Sequence, residues 1–118
     1  MKEVLAIIQM NKMEATKNAL DVIGIPSITA YKVTGRGRQL GLSIPLPSEL
    51  PGSDKRSMRY IPKRMISVIV EDEFVPAVVA VITKVNRTGN FGDGRIFVCP
   101  VEESVRIRTG ERGSVAIS

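Results

Sequence analysis

Between Thr34 and Arg59 every helical and strand periodicity disappears, and Gly35, Gly37, Gly41, Pro45, Pro47, Pro51 and Gly52 punctuate the stretch. Proline and glycine at that density cannot build a core, and a segment of that length without regular structure is usually a functional loop. The core must therefore come from the two flanks, and each flank reads β-α-β. Val4 to Ile8 is a short continuous apolar run, as expected of a strand covered on both faces. Asn11 with Glu14 three residues on looks like a capping box, and Met13, Thr16, Leu20 and Ile23 recur at helical spacing until Gly24 and Pro26 stop them. Ser27 to Val33 alternates as a second strand. Beyond the loop, Tyr60 to Val70 is a strand, Asp72 offers a helix cap, and Val75, Val78, Val79, Ile82 and Val85 line one helical face. Asn86 to Gly94 is a glycine-rich connection, Arg95 to Val101 a fourth strand, and Val105 to Arg108 alternates again. Two β-α-β units in this order predict a single α+β domain over 1–118, a ferredoxin-like βαββαβ sandwich with both helices on one face of one sheet.

Composition narrows the chemistry. The chain has 118 residues with 43% hydrophobic, enough for one compact core. It has no histidine, which removes Ser-His and Cys-His nucleophiles, histidine-based zinc sites and the commonest general base. A single cysteine, Cys99, excludes an internal disulfide and fits a reducing, cytoplasmic setting; mid-strand, it reads as a small buried hydrophobe. No apolar run approaches the roughly 20 residues of a membrane span, and the leading Val4–Ile8 run is too short for a signal peptide. These features favour a binding or regulatory module over an enzyme.

Charge is concentrated. The net charge is +5, and the segment from Gly35 to Arg64 carries seven basic residues (Arg36, Arg38, Lys55, Arg56, Arg59, Lys63, Arg64) against Glu49 and Asp54. The rest of the chain is neutral in sum, so an anionic partner for this segment is expected. Nucleic acid is disfavoured, because no aromatic side chain interleaves with the basic cluster to stack bases. Three further clusters suit a phosphate: Gly35-Arg36-Gly37-Arg38-Gln39-Leu40-Gly41, Thr88-Gly89-Asn90-Phe91-Gly92-Asp93-Gly94-Arg95, and Arg106-Ile107-Arg108-Thr109-Gly110-Glu111. Closely spaced glycines let backbone N–H groups converge on an anion, and Arg106 and Arg108 would share a face if strand-like. No Walker motif accompanies them. In a nucleotide-chemistry enzyme Asp93 would be the general base; a carboxylate between glycines is more simply a turn stabiliser.

Taken together and in this order, the clusters resemble the PII signal-transduction (GlnB-like) family. Thr88-Gly89-x-x-Gly92-Asp93-Gly94-Arg95-Ile96-Phe97-Val98 is similar to its C-terminal signature, and Gly35-x-Gly37-Arg38-Gln39-x-Gly41 to the start of its T-loop. Ile61-Pro62-Lys63 is similar to the end of that loop, and Val105-Arg106-Ile107-Arg108-Thr109-Gly110-Glu111 to its terminal segment. The resemblance runs from Met1 to about Glu111. It implies a trimer that binds ATP or ADP between subunits, senses 2-oxoglutarate with Mg²⁺, and signals nitrogen status through a T-loop at 34–60. Carried over, Gly92, Asp93, Gly94 and Arg95 of the 87–95 loop would hold phosphates, with Arg106 and Arg108 of the 105–118 segment arriving from the adjacent subunit. Thr29 and Ile69 would line the adenine side, and Gly37, Arg38 and Gln39 complete the site. Gln39 would bind Mg²⁺, Leu40 and Gly41 would present backbone to 2-oxoglutarate, and Lys63 would pair with its distal carboxylate. Arg95 stands where the family usually has lysine.

The loop is longer than in the enterobacterial type and has no tyrosine near its tip, so uridylylation is not implied; Tyr60 lies at its descending edge. Its length, with Tyr60-Ile61-Pro62-Lys63-Arg64-Met65-Ile66-Ser67 and Arg108-Thr109-Gly110-Glu111-Arg112-Gly113, looks most like the second subunit of the archaeal nitrogenase-associated branch. That likeness implies direct inhibition of dinitrogenase, relieved by ATP with 2-oxoglutarate, and possible assembly with a paralogous subunit. The alternative is the type that blocks an ammonium transporter, with Arg56 or Arg59 at the pore. Deleting residues 46–57 is expected to leave the oligomer and the nucleotide site whole and to remove target control. A deletion variant that still inhibits its target in an activity assay sinks the effector-loop expectation.

Overall fold

The computed structural model describes residues 1–36 and 61–118. Four strands form one antiparallel sheet: β1 (Lys2–Gln9), β2 (Thr29–Gly35), β3 (Ile61–Val70) and β4 (Arg95–Pro100), in the order β2-β3-β1-β4. Helices α1 (Met13–Val22) and α2 (Val75–Asn86) cross over between them, and a single turn of helix, α3 (Ser114–Ile117), follows near the end of the chain. This is the expected ferredoxin-like arrangement.

Alternation along the strands decides which face is which. Val4, Ala6 and Ile8 of β1 pair with or lie beside Val68 and Ile66 of β3, and all of them are buried together with Val70. Leu20 of α1 and Val78 and Ile82 of α2 join the same cluster, so both helices cover this one face. Where the helices meet, Asn86 donates through Nδ2 to Thr16 Oγ1 (2.9 Å) and to the Ile82 carbonyl (2.9 Å), while Thr16 Oγ1 donates to the Lys12 carbonyl at 2.7 Å. The valine-rich α2 forms although valine prefers strands, because its Val78–Ile82 face is buried against the sheet and tertiary contact outweighs propensity.

No described helix covers the other face. It presents Leu5 and Ile7 of β1, Tyr31 and Val33 of β2, Met65 and Ile69 of β3, and Phe97 and Cys99 of β4. Cys99 is therefore half-exposed on this uncovered face and not a buried core residue. Two polar side chains on the same face are buried and satisfied: Ser67 Oγ donates to Glu3 Oε2 at 2.6 Å, and Lys63 is described below.

Several local expectations change. Asn11 does not cap α1; it lies inside a 3-10 turn, Met10–Lys12, and α1 begins after it with no side-chain cap. Asp72 likewise opens a 3-10 turn, Asp72–Phe74, and its carboxylate pairs with the Met1 amine at 3.0 Å instead of capping α2. Strand β2 runs two residues later than the alternation suggested, because its partners on β3 extend from Ser67 opposite Thr29 to Ile61 opposite Gly35. Helix α1 stops as predicted, with Gly24 at φ +85° and the Ile25 N–H on the Leu20 carbonyl at 2.9 Å. Val105 to Arg108 is not a strand. Only Val105 bridges Arg112, and the chain turns through residues 107–109.

Replacing Leu20 with alanine is expected to cost about 2–5 kcal/mol, since the helix cannot collapse fully onto the sheet beneath it. Urea unfolding reads this directly, and an unchanged midpoint means that α1 does not close the core.

Candidate functional site

The glycine-rich connection between α2 and β4 folds into a clasp around one carboxylate. Asp93 accepts from the Thr88 hydroxyl, from the Thr88 N–H at 2.7 Å and from the Gly89 N–H at 2.9 Å. These donors, the Thr88 hydroxyl foremost, hold the Asp93 carboxyl below the ordinary carboxylate range. An acceptor so fully engaged and so weakly basic is the turn stabiliser anticipated for it, and a poor general base. Gly92 has φ +98° and Gly94 φ +112°, where a side chain is strained. At Gly94 there is also no room: a Cβ would collide with the Ile7 carbonyl oxygen of β1. Glycine is required there for the loop to lie against the central strand.

That close approach brings the loop to the end of β3. Lys63, 7% exposed, donates from Nζ to the Gly92 carbonyl at 2.6 Å. Gln9, opposite Lys63 in the β1–β3 register, donates from Nε2 to the same oxygen at 3.1 Å. Burial pushes the Lys63 ammonium below its ordinary pKa, and the Asp93 carboxylate partly opposes the shift. Behind the loop, between α2 and strands β1 and β4, lies a cavity of about 330 Å³ lined by Ile8, Val79, Ile82, Asn86, Gly94 and Ile96. The sequence motifs did not point to Ile7, Gln9 or Asn86. Ile7 and Gln9 look like ordinary strand residues until β1 is seen to run beneath the loop.

The expected site residues fall into separate groups. Lys63, Gly92, Asp93, Gly94 and Arg95 are together at one end of the sheet. Thr29 and Ile69 are exposed on the uncovered face at the far end; six residues of strand separate Ile69 from Lys63, roughly 20 Å at the strand rise. One chain does not bring them to the loop. Arg106 and Arg108 do not share a strand face, because the segment turns. Arg106 donates from Nη1 to Glu111 Oε1 at 2.9 Å and from Nη2 to the Val115 and Ser118 carbonyls at 2.8 Å each, whereas the Arg108 side chain is exposed. Gly37, Arg38, Gln39, Leu40 and Gly41 lie outside the described residues, as does most of the expected T-loop. Among the described residues, no cluster of three or more acidic, histidine or cysteine side chains is placed to hold a metal. No described helix is long and apolar enough to cross a membrane.

Residues 1–111 match the sequence profile of the family described as nitrogen regulatory protein P-II. The chain is 52% identical over 126 residues to a nitrogen fixation nifHD region GlnB-like protein 2 of Methanothermococcus thermolithotrophicus, covering 99% of this chain and 98% of that one. It is 43% identical to nitrogen regulatory protein P-II of Azospirillum brasilense over 99% of this chain and all of that one. Among solved structures it resembles Arabidopsis thaliana PII bound to citrate, with a TM-score of 0.78 and 30% identity over 99% of this chain and 89% of that chain.

An NMR titration of the Thr88 and Gly89 amide shifts should follow protonation of Asp93. A carboxyl with a lowered folded-state pKa keeps its contribution above the ordinary value near about 3.9 and loses it as pH falls through the folded value. The midpoint should lie below that ordinary value and vanish in Asp93→Asn; a midpoint at or above it means the clasp does not form in solution.

Proposed function

This chain belongs to the nitrogen regulatory protein P-II family, and from that membership we propose that it senses adenine nucleotide and 2-oxoglutarate and controls nitrogenase through its long T-loop. Its family is one of regulators, and the nitrogen-fixation names of its relatives support a role in nitrogen fixation. The observation that carries the sensing part is the Lys63 ammonium, buried against a glycine-rich loop at the point where the T-loop rejoins the sheet. A fixed cation there can meet a dicarboxylate, while converging loop amides and Arg95 meet a phosphate.

In this reading Gly92, Asp93, Gly94 and Arg95 cradle the phosphates of ATP or ADP. Asp93 does so indirectly, by holding the loop in shape. Family members form trimers, and a trimer of this chain would cover the apolar face bearing Leu5, Ile7, Tyr31, Met65 and Phe97, which no described helix shields. A neighbour would then supply what one chain leaves distant: Arg106 and Arg108 for the phosphates, and Thr29 or Ile69 for the adenine. Magnesium would be held by Gln39 together with oxygens of the bound ligands, and it would let two polyanions share the cleft. Leu40 and Gly41 would offer backbone to 2-oxoglutarate beside Lys63. A paralogous subunit can take part in the same assembly.

Calorimetric titration of the chain with Mg-ATP and with 2-oxoglutarate, in both orders, tests the reading. Each ligand should tighten the other by the same factor, as linkage requires. Lys63→Ala should abolish 2-oxoglutarate binding and leave Mg-ATP binding largely intact. Equal loss of both ligands refutes the role given to Lys63, and absence of nucleotide binding refutes the sensor.

A further inference from the structure

We propose that Gln9 is a positioning residue that couples the metabolite site to the phosphate loop, by holding the Gly92 carbonyl when Lys63 turns to an anionic ligand. This inference rests on the sensing role proposed for Lys63 and the loop. Its basis is one oxygen with two donors. Lys63 Nζ lies 2.6 Å and Gln9 Nε2 3.1 Å from the Gly92 carbonyl. The two side chains are direct cross-strand partners, so they reach the loop side by side from a rigid pair of strands.

The two donors are unequal. The lysine bond is charge-assisted and short, and it is the stronger anchor. An ammonium has three N–H groups, all of which an arriving carboxylate attracts. As the ammonium swings toward that carboxylate, its bond to Gly92 lengthens. The Gly92 carbonyl would then be a part-buried acceptor losing its principal partner, which is costly. Gln9 prevents that loss. Its amide is neutral, so it does not compete for the metabolite's charge, and it is held on the strand that also meets Gly94 through the Ile7 carbonyl. The loop therefore stays in its phosphate-binding shape while Lys63 is engaged elsewhere, and the two ligands bind together instead of excluding each other.

The test uses Gln9→Met, which keeps length and apolar volume but removes the N–H donor, and Gln9→His, which restores an N–H donor at similar reach and is neutral at the measurement pH of about 8. Mg-ATP affinity measured alone should change by less than about threefold in both, because Lys63 still anchors Gly92 in the absence of metabolite. With Mg-ATP saturating, 2-oxoglutarate affinity should fall by about tenfold in Gln9→Met, the scale of one unsatisfied buried acceptor. Gln9→His should recover it. Amide hydrogen exchange over residues 88–94 adds a readout that a purely structural role would not move. In Gln9→Met, adding 2-oxoglutarate to the Mg-ATP complex should speed exchange there, whereas in the unmodified chain it should not. Unchanged metabolite affinity in Gln9→Met, with the unmodified chain binding both ligands, overturns this inference and leaves the sensing role standing. Equal loss of Mg-ATP and metabolite affinity, or failure of Gln9→His to recover, also overturns it. An unmodified chain that binds neither ligand overturns both.

Discussion

Strand β1 is hydrogen-bonded on both edges, to β3 along its whole length and to β4 from Lys2 to Ile7. Everything else in the molecule depends on that double pairing. Side chains alternate across a strand, so its register sends Val4, Ala6 and Ile8 into the helix-covered core and leaves Glu3, Leu5, Ile7 and Gln9 on the other face. A slip of one residue would exchange the two sets and abolish core and site together. The same register places Gln9 against Lys63 and Ile7 against Arg95, so the glycine-rich loop is built directly onto the end of the central strand.

The two charged groups that meet at that end, Lys63 and Asp93, each have partners. Lys63 would be costly as an isolated buried cation, and it is tolerated because the Gly92 carbonyl receives it and the Asp93 carboxylate lies near. Asp93 in turn is absorbed by Thr88 and Gly89 and so shapes the loop without itself being a reactive group. Arg106 spends both terminal nitrogens within its own C-terminal segment. Any grip it exerts on a phosphate must exchange against those contacts, whereas Arg108 extends into solvent.

Part of the core was readable from residue patterns, because burial imposes a period of about 3.6 on Val75–Val85 that survives in one dimension. The continuous apolar run Val4–Ile8 suggests instead a strand covered on both faces. Only the fold separates buried Val4, Ala6 and Ile8 from Leu5 and Ile7, on the face that no described helix covers. Glycines 92 and 94 were readable as turn formers, though not the reason for Gly94, which is a neighbouring strand's carbonyl. The helix starts were misread at Asn11 and Asp72. Each side chain has the chemistry of a cap, but a 3-10 turn precedes each α-helix and removes the geometry that a cap needs. Alternation at Val105–Arg108 likewise suggests a strand where no described strand pairs with it, and Cys99 reads as a core residue although its parity places it on the opposite face.

By itself, the sequence determined the order of elements, the composition of the core, the family and the identity of the loop residues, because propensity, periodicity and glycine spacing are local properties. Tertiary structure alone decided that Gln9 and Lys63 meet on one carbonyl, that Ile7 forbids a side chain at position 94, and that Thr29 and Ile69 stand far from the loop within one chain. Those are consequences of strand register and of which face a residue occupies. Both are set by pairing between segments as distant as Lys2 and Pro100, the Gln9–Gly92 contact itself spanning 83 residues, and no local pattern carries that information.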